Sequence, residues 1–262
     1  MFDFHMHSTV SFDGHGTPEE MVKAALEAGL QEICFTDHED YELYQEEQST
    51  VFDLDTYSAA YDNLSAPGLK IRRGMEFGLK EYNRDQLKLD ASARHYDFIL
   101  GSIHHVDEVD IYYADPWWQG KTVADAEHRY LEQTLRCVQH HDGFDVLAHL
   151  TYLSKVAGHP THKPIRYDDH RELLDEILRT LAGKGKGLEL NTSGMDRCGE
   201  FLPGLDYFRR FRELGGEIVT IGSDAHGPER VGQYTREAAQ ALQDIFGYVC
   251  TFENRQPIFH KL

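Results

Sequence analysis

Seven short apolar runs recur along the chain, each giving way to a longer stretch of helical periodicity. They are "MFDFH" (1–5), "EICFT" (32–36), "KIRRGMEF" (70–77), "DFILGSIH" (97–104), "DVLAH" (145–149), "GLELN" (187–191) and "EIVTIGSD" (217–224). Runs of this length, rich in β-branched and aromatic residues, read as buried strands. The intervening segments "TPEEMVKAALEAG", "DLDTYSAAYDNL", "DQLKLDASARH", "VADAEHRYLEQTLRCVQHH", "DDHRELLDEILRTLAGKG", "LDYFRRFRELGG" and "TREAAQALQDIFG" read as helices. The first of these carries a full start-and-stop set: Thr17 as N-cap, Pro18 at the first helical position, Glu20 to complete a capping box, and Gly29 past the end. With no composition break or linker, this alternation predicts one α/β domain over residues 1–262 built from parallel βα units. A closed barrel and an open doubly wound sheet both satisfy it. No Gly-rich phosphate loop follows a strand, so the nucleotide-binding form of the open sheet lacks support.

In such folds chemistry gathers at the C-terminal ends of the strands. Here those ends carry His5 and His7, Asp37 and His38, Glu76, His104 and His105, His149, and Asp224 and His226. Side chains on an extended segment repeat with period two, so His5 with His7, and Asp224 with His226, can reach one cation together. If the sheet closes, the first and last strands become neighbours and the two pairs lie side by side. Each residue alone has a plainer reading: a polar strand end, a hydrogen-bonded core histidine, or, for Glu76, an ion pair with Arg72 or Arg73. Six of seven strand ends bearing His, Asp or Glu is a joint pattern, and it predicts a site for several metal ions. Imidazole nitrogen mixed with carboxylate oxygen suits zinc, iron or manganese, with Glu76 a natural bridge between two cations. His95, His128, His140, His141, His159, His162, His170 and His260 fall away from strand ends and are expected to be solvated or structural; His15 stays open. The acid run 38–48 is expected to be a solvated face. Trp117 and Trp118, in a long loop over 105–121, are expected to pack on the barrel rather than form a lid.

Charge and cysteine usage narrow the function classes. Forty-five acidic against 26 basic residues give a formal charge of −19, which repels phosphate backbones and argues against long nucleic acid or an anionic membrane as partner. No run of about 18 apolar residues is present, so no transmembrane helix is expected, nor does the N-terminus show a signal-peptide pattern. Cys34, Cys137, Cys198 and Cys250 are scattered, which fits free thiols in a reducing cytoplasm.

The stretches "HMHSTVSFDG", "FTDH", "GSIHHV" (with "LAHL" after it) and "GSDAH" resemble, in order, the four signature motifs of the PHP family, named for polymerase and histidinol phosphatase. The likeness runs essentially end to end. It implies a distorted seven-stranded (β/α)7 TIM-like barrel with three divalent metal ions (Zn, Fe or Mn) at the C-terminal face of the strands. The positions matching the family's ligands are His5, His7, Asp13, His38, Glu76, His104, His149, Asp224 and His226. Within the family, "ILGSIHHV", "LELNTSG" followed by Arg197, and the chain length resemble the monofunctional histidinol-phosphate phosphatases of histidine biosynthesis. That likeness implies a phosphomonoesterase releasing L-histidinol and phosphate; a PHP-type phosphoesterase acting on nucleotides or short oligonucleotides is the alternative.

The expected mechanism follows from charge. Divalent ions acidify a bridging water, and the resulting hydroxide attacks phosphorus in line. Arg197, Lys155 and His105 are the candidates for gripping phosphate, and His105 for protonating or hydrogen bonding the ester oxygen. Glu42, Asp107 or Glu108 would meet the substrate ammonium. The expected partner is a small phosphomonoester bound by a monomer or small homo-oligomer. Disturbing residues 1–7 is expected to cost metal occupancy before it costs the fold.

Overall fold

A computed structural model describes residues 1–41, 50–112, 115–156 and 158–262. The strands β1 (Phe2–Met6), β2 (Glu32–Phe35), β3 (Lys70–Gly78), β4 (Phe98–Ser102), β5 (Val146–Leu147), β6 (Gly187–Asn191) and β7 (Val219–Gly222) lie side by side in chain order, all parallel. Closure follows just past their C-terminal ends. Met6 bridges in parallel to Ala225, the His7 N–H donates to the Ala225 carbonyl at 2.8 Å, and the Asp224 N–H donates to the His5 carbonyl at 2.8 Å. The result is a nearly closed seven-stranded α/β barrel, with β1 and β7 neighbours as closure requires.

The expected helices form at Pro18–Glu27, Leu54–Tyr61, Arg84–Ala93, Val123–His140, Arg171–Gly183, Leu205–Glu213 and Thr235–Gln243. In the first, the Thr17 hydroxyl accepts from the Glu20 N–H and the Glu20 carboxylate accepts from the Thr17 N–H, so both halves of the capping box are made.

Two hairpins are among the elements outside the sequence expectation. Residues 105–110 fold back as a small hairpin, His105–Val106 against Val109–Asp110, turning through Asp107 and Glu108 with φ of 54° and 62°. Beyond the last helix, Tyr248–Glu253 and Gln256–Lys261 form a second hairpin through Asn254 and Arg255, again with positive φ. Both turns use left-handed residues in pairs, the geometry that matches strand twist. The first consists of two-residue strands inside a βα loop and the second follows the last βα unit, so the βα rhythm did not reveal them.

The C-terminal hairpin closes the barrel's lower end. Cys250 and Phe252 join Phe4, Cys34, Phe98, Leu100, Val146 and Ala148 in a buried inner cluster. Arg255 donates to both carboxylate oxygens of Asp145, with Nη2 to Oδ1 at 2.8 Å, and to the Gly143 carbonyl at 2.5 Å. Asp97 accepts from the Asn254 N–H at 3.0 Å. With that end filled by side chains, the open cavity lies at the other.

β1 carries structural residues beside the two expected ligands. Phe4 is 1% exposed in the inner cluster. Asp3 accepts from the Ser223 N–H (2.8 Å), the Ser223 hydroxyl (2.6 Å) and the Gly232 N–H (2.9 Å). These contacts tie residues 2–7 to the barrel seam as well as to its rim. Among the described residues no helix is long and apolar enough to cross a membrane, and the four cysteines are free.

Candidate metal centre

Five overlapping triads gather at the upper rim, with the donor atoms in each within 4.8 Å of one another. They are His7, His38 and His226; His5, His149 and Asp224; His5, His7 and Glu76; His38, Asp40 and His104; and Glu76, His104 and His149. Glu76, on β3, sits at the middle. Its Oε1 lies 2.8 Å from His149 Nε2 and 3.3 Å from His104 Nε2. Its Oε2 lies 3.3 Å from His5 Nε2, 3.5 Å from His7 Nε2 and 3.0 Å from His38 Nδ1. One carboxylate thus divides five imidazoles into two sets. Asp224, held at φ 57°, places Oδ1 3.6 Å from His5 Nε2 and 3.5 Å from His7 Nε2. Asp13 reaches in from the loop after β1, its Oδ2 3.3 Å from His226 Nε2 and 3.7 Å from His38 Nε2. All nine sequence-expected ligand positions converge here, and Arg72 and Arg73 pair elsewhere, with Glu32, Glu253 and Asp62.

A second layer fixes which ring nitrogen faces inward. The Nδ1 of His5 lies 2.7 Å from Glu189 Oε1, and that of His104 lies 3.0 Å from both oxygens of Asp40. His226 donates from Nδ1 to the Asp224 carbonyl at 3.0 Å. For His7 the partner is Ser11 Oγ at 3.1 Å. The Ser11 hydroxyl donates to Asp37 Oδ1, so it accepts from His7 Nδ1–H and leaves Nε2 as the free lone pair. This carboxylate–histidine arrangement is the one that orients metal-binding imidazoles. Two glycines make room for it: a Cβ at Gly222 would collide with Glu189 and His5, and one at Gly78 with Asp40.

Asp37 itself does not face the triads. It accepts from the Ser8 N–H, Ser11 and Tyr61, and so holds the loop that carries Ser11. Glu39 and Asp40, expected on a solvated face, are each 3% exposed. Strand pairing explains the difference: His38–Asp40 adds to β3 with His38 opposite Glu76, which turns Asp40 inward. Residues 42–48 of that acid run lie outside the described residues. Glu189 was not anticipated either; the signal for it was a carboxylate flanked by leucines within "GLELN".

Electrostatics shows what this cluster lacks. Burial disfavours the charged forms of His5, His7, Asp13, His38, Glu76, His104, His149 and Asp224. Even so, Glu76 stays well below the usual carboxylate range because His5, His104 and His38 surround it. Burial also opposes charge on His104, yet Asp40 and Glu76 push it up to about 10. His7, buried beside His226 and His38, is held well below the ordinary histidine value. Buried carboxylates at this density need positive charge among them. His5 Nε2, His7 Nε2, Asp13 Oδ1, His38 Nδ1 and Glu76 Oε2 are all buried without a hydrogen-bond partner. The three imidazole nitrogens approach Glu76 Oε2 at 3.0–3.5 Å without hydrogen-bond geometry, so the donor set fits divalent cations.

Above the cluster is a cavity of about 580 Å³. Lys155 and Arg197 line it, joined by Arg230, Tyr112, Tyr152, Asp110 and Asp196. Lys155 Nζ donates to Asp224 Oδ2 and to Ser193 Oγ at 2.9 Å, and Arg197 donates to the Lys155 carbonyl at 2.5 Å. His105 is 3% exposed and is not among the lining residues. It belongs to the strand His105–Val106, where it pairs with Asp110. Two of the three acids expected to meet an ammonium have other partners. Asp107 pairs with Arg129, Glu108 accepts from Tyr82 at 2.6 Å, and Glu42 lies outside the described residues. Trp117, 5% exposed, belongs to the core, and Trp118 packs edge-on against His159, in line with packing rather than a lid. His15 lies at the cavity rim, 3.3 Å from Glu229.

Comparison with known proteins agrees with this geometry. The histidinol-phosphatase of Lactococcus lactis is 32% identical over 233 residues, covering 87% of this chain and 85% of that protein. A probable histidinol-phosphatase of Clostridium acetobutylicum is 28% identical over 264 residues, covering 100% and 97%. The crystal structure of the Lactococcus lactis histidinol phosphate phosphatase, complexed with zinc, L-histidinol and phosphate, superposes with a TM-score of 0.84 over 98% of each chain at 27% identity. The model of the PHP domain matches residues 3–193, and with the barrel and its rim of histidines and carboxylates this places the chain in the PHP domain family.

Proposed function

We propose that this protein is a metal-dependent histidinol-phosphatase, hydrolysing L-histidinol phosphate to L-histidinol and phosphate. The observation that carries this reading is the end-to-end match to a relative that holds zinc, L-histidinol and phosphate, in a chain whose own cavity floor is a histidine–carboxylate cluster. The residues divide into holders for three divalent ions. His5, His7, Glu76 and Asp224 form one set, Glu76, His104 and His149 a second, and Asp13, His38 and His226 a third; Glu76 is shared by the first two. Zinc, iron and manganese all suit such a set. When bound, such ions supply an acidified water and positive charge for the phosphoryl oxygens.

The chain's own groups do the rest. Arg197 and Arg230 line the cavity from the side of β6 and β7 and offer guanidinium forks for phosphate oxygens. Lys155, already beside Asp224, brings an ammonium to the same edge. Tyr152 packs over His149 and His104, with ring centroids 4.8 and 5.1 Å apart, and shields that side of the floor from water. A biosynthetic role of this kind fits a cytoplasmic enzyme.

The test is steady-state phosphate release after reconstitution with each metal. The substrates are L-histidinol phosphate, a panel of phosphomonoesters, a 3′,5′-bisphosphonucleotide and a short oligonucleotide. The expected result is a kcat/KM for L-histidinol phosphate at least 100-fold above the others. Comparable rates across the panel would overturn the specific assignment and leave a general phosphatase; preferential cleavage of the nucleotides would favour the nucleotide alternative.

A further inference from the structure

We propose that a second cavity, lined by the loop that carries Arg197, is an effector site for a free α-amino acid with an apolar or aromatic side chain. The cavity measures about 350 Å³, a volume within the range of small-molecule sites. Its charged lining is Arg166, Arg209, Glu200 and Asp206. Of the chain's arginines, Arg166 and Arg209 are the two whose side chains make no ion pair, hydrogen bond or ring contact among the described residues, and both line this cavity. The two acids stand together. A Cβ at Gly204 would lie 2.8 Å from Glu200 Oε1 and 3.1 Å from Asp206 Oδ1, so glycine keeps open the space that both carboxylates flank. Asp206 Oδ1 accepts from the Tyr207 N–H at 3.1 Å. Burial and the Asp206 charge push the Glu200 carboxyl up, and Arg166 offsets this only in part. Four charges thus share one cavity, and the acids are not paired with the arginines. A simple anion would answer the arginines and leave the acids, and a simple amine would do the reverse. An α-amino acid answers both, its carboxylate taking a guanidinium fork and its ammonium the carboxylates. Ile165, Phe201 and Leu205 supply an apolar wall for its side chain.

The walls of this cavity are shared with the one above the metal cluster. The loop after β5 places Lys155 in the first and Ile165 and Arg166 in the second. The loop after β6 places Arg197 in the first and Met195, Glu200 and Phe201 in the second. Met195 and Arg197 lie on one helical turn, Met195–Cys198. The two loops are tied together, since Cys198 Sγ donates to the Ser154 carbonyl at 3.2 Å and Arg197 to the Lys155 carbonyl at 2.5 Å. The Tyr207 hydroxyl donates to the Ile165 carbonyl at 2.8 Å and joins the helix bearing Arg209 to the loop after β5. A ligand spanning Arg166 and Glu200 therefore braces the two loops that present Lys155 and Arg197. Its effect on turnover is set by how far it favours one arrangement of those loops over another.

The experiment uses the metal-reconstituted protein with 13C-labelled methionine methyls; Met195 lines the cavity, and Met195→Leu assigns its signal. L-phenylalanine, L-leucine and L-histidine are titrated, beside 2-phenylethylamine and 3-phenylpropionate, which each lack one of the two charges. At least one amino acid is expected to shift the Met195 methyl saturably, with the half-charged analogues weaker by about 10-fold or more. Arg166→Gln/Arg209→Gln is expected to weaken that binding by about 10-fold or more while leaving hydrolysis without amino acid unchanged. Saturation is expected to change KM by about 5-fold or more, and only while both arginines are present. The kinetics use L-histidinol phosphate, or the best ester of the panel if the histidinol-phosphatase reading fails, so the two failures stay distinguishable. No saturable shift with any of the amino acids would overturn the proposal. So would equal binding of the analogues, or full binding by the double variant. A shift with kcat and KM both unchanged would overturn the effector role. A KM change that persists in the double variant would place the amino acid at the metal cluster instead, and would overturn it too.

Discussion

Glu189→Gln is the sharpest test of the proposed metal centre, because it changes no ligand. His5, His149 and Asn191 can all donate to the Glu189 carboxylate. Oε1 meets His5 Nδ1 at 2.7 Å, and Oε2 accepts from the His149 N–H at 2.8 Å and from Asn191 Nδ2 at 3.1 Å. A glutamine offers one acceptor and one donor in the same space. If its NH2 group faces His5, the ring must move its proton to Nε2, the nitrogen aimed at Glu76 and Asp224, and His5 ceases to be a ligand. If its carbonyl faces His5, the NH2 group opposes the His149 N–H and the Asn191 amide, and the start of the loop carrying His149 shifts. Either way one side of the centre is disturbed while packing volume is conserved. Substitutions of this kind cost about 10- to 100-fold in metal affinity, or roughly 1.4–2.8 kcal/mol. The assay is competition for zinc against a chromophoric chelator. It is paired with ring 15N chemical shifts of His5, which read the tautomer directly, and with far-UV circular dichroism to establish that the barrel persists. Unchanged affinity with an unchanged His5 tautomer would refute the reasoning that Glu189 sets this ligand.

Three further outcomes are expected. The double substitution His5→Ala/His7→Ala should keep the barrel, as judged by circular dichroism, while bound metal measured by elemental analysis falls by at least one ion per chain; full metal content would remove both residues from the centre. Arg255→Ala frees the tip of the C-terminal hairpin and leaves Asp145 buried without its guanidinium, which should cost about 2–4 kcal/mol in a denaturant titration; a loss too small to resolve would mean the hairpin does not hold the barrel's lower end. Arg210 bonds Asp175 at 2.9 and 2.6 Å and, with Tyr167, holds its carboxyl well below the usual range. A depressed folded-state pKa contributes stability above the unfolded value of about 3.9 and loses it as pH falls toward the folded one. The melting-temperature gap between the protein and Arg210→Ala should therefore be widest near neutral pH and narrow below about pH 4; a gap independent of pH would contradict the pairing.

What was legible in the sequence had a local period behind it. His5 and His7 declare themselves because i and i+2 on a strand share a face, and the seven runs carry barrel order because βα units recur in sequence. Glu189 and Asp40 depend on tertiary placement. A carboxylate between leucines shows that something polar is buried but not that His5, 184 residues away, is its partner. Asp40 in "DHED" has the composition of a surface run and is buried because its strand adds to β3. His105 illustrates the converse: adjacency to an expected ligand suggested a shared role, and the fold places the residue outside the cavity lining. Asp107 and Glu108 sit on a positive-φ turn that the sequence did not announce, and Asp110 lines the cavity in their stead.

The closure of β7 onto β1 sets a timetable for the nascent chain. Asp3 waits for Ser223, 220 residues later. At ribosomal rates that is roughly 10–40 s during which the first strand has one neighbour and an unsatisfied edge. The proposed ligands straddle the same seam, so no ion can find its complete set of donors until the last barrel strand has emerged. Metal capture in the cell would then be a late event that reports on a finished barrel, and a chain stalled before Asp224 would display His5 and His7 beside an unpaired strand edge. Such a chain would be recognisable to chaperones by its open edge and to free metal ions by its stray histidines, and it would remain exposed to aggregation until synthesis resumes.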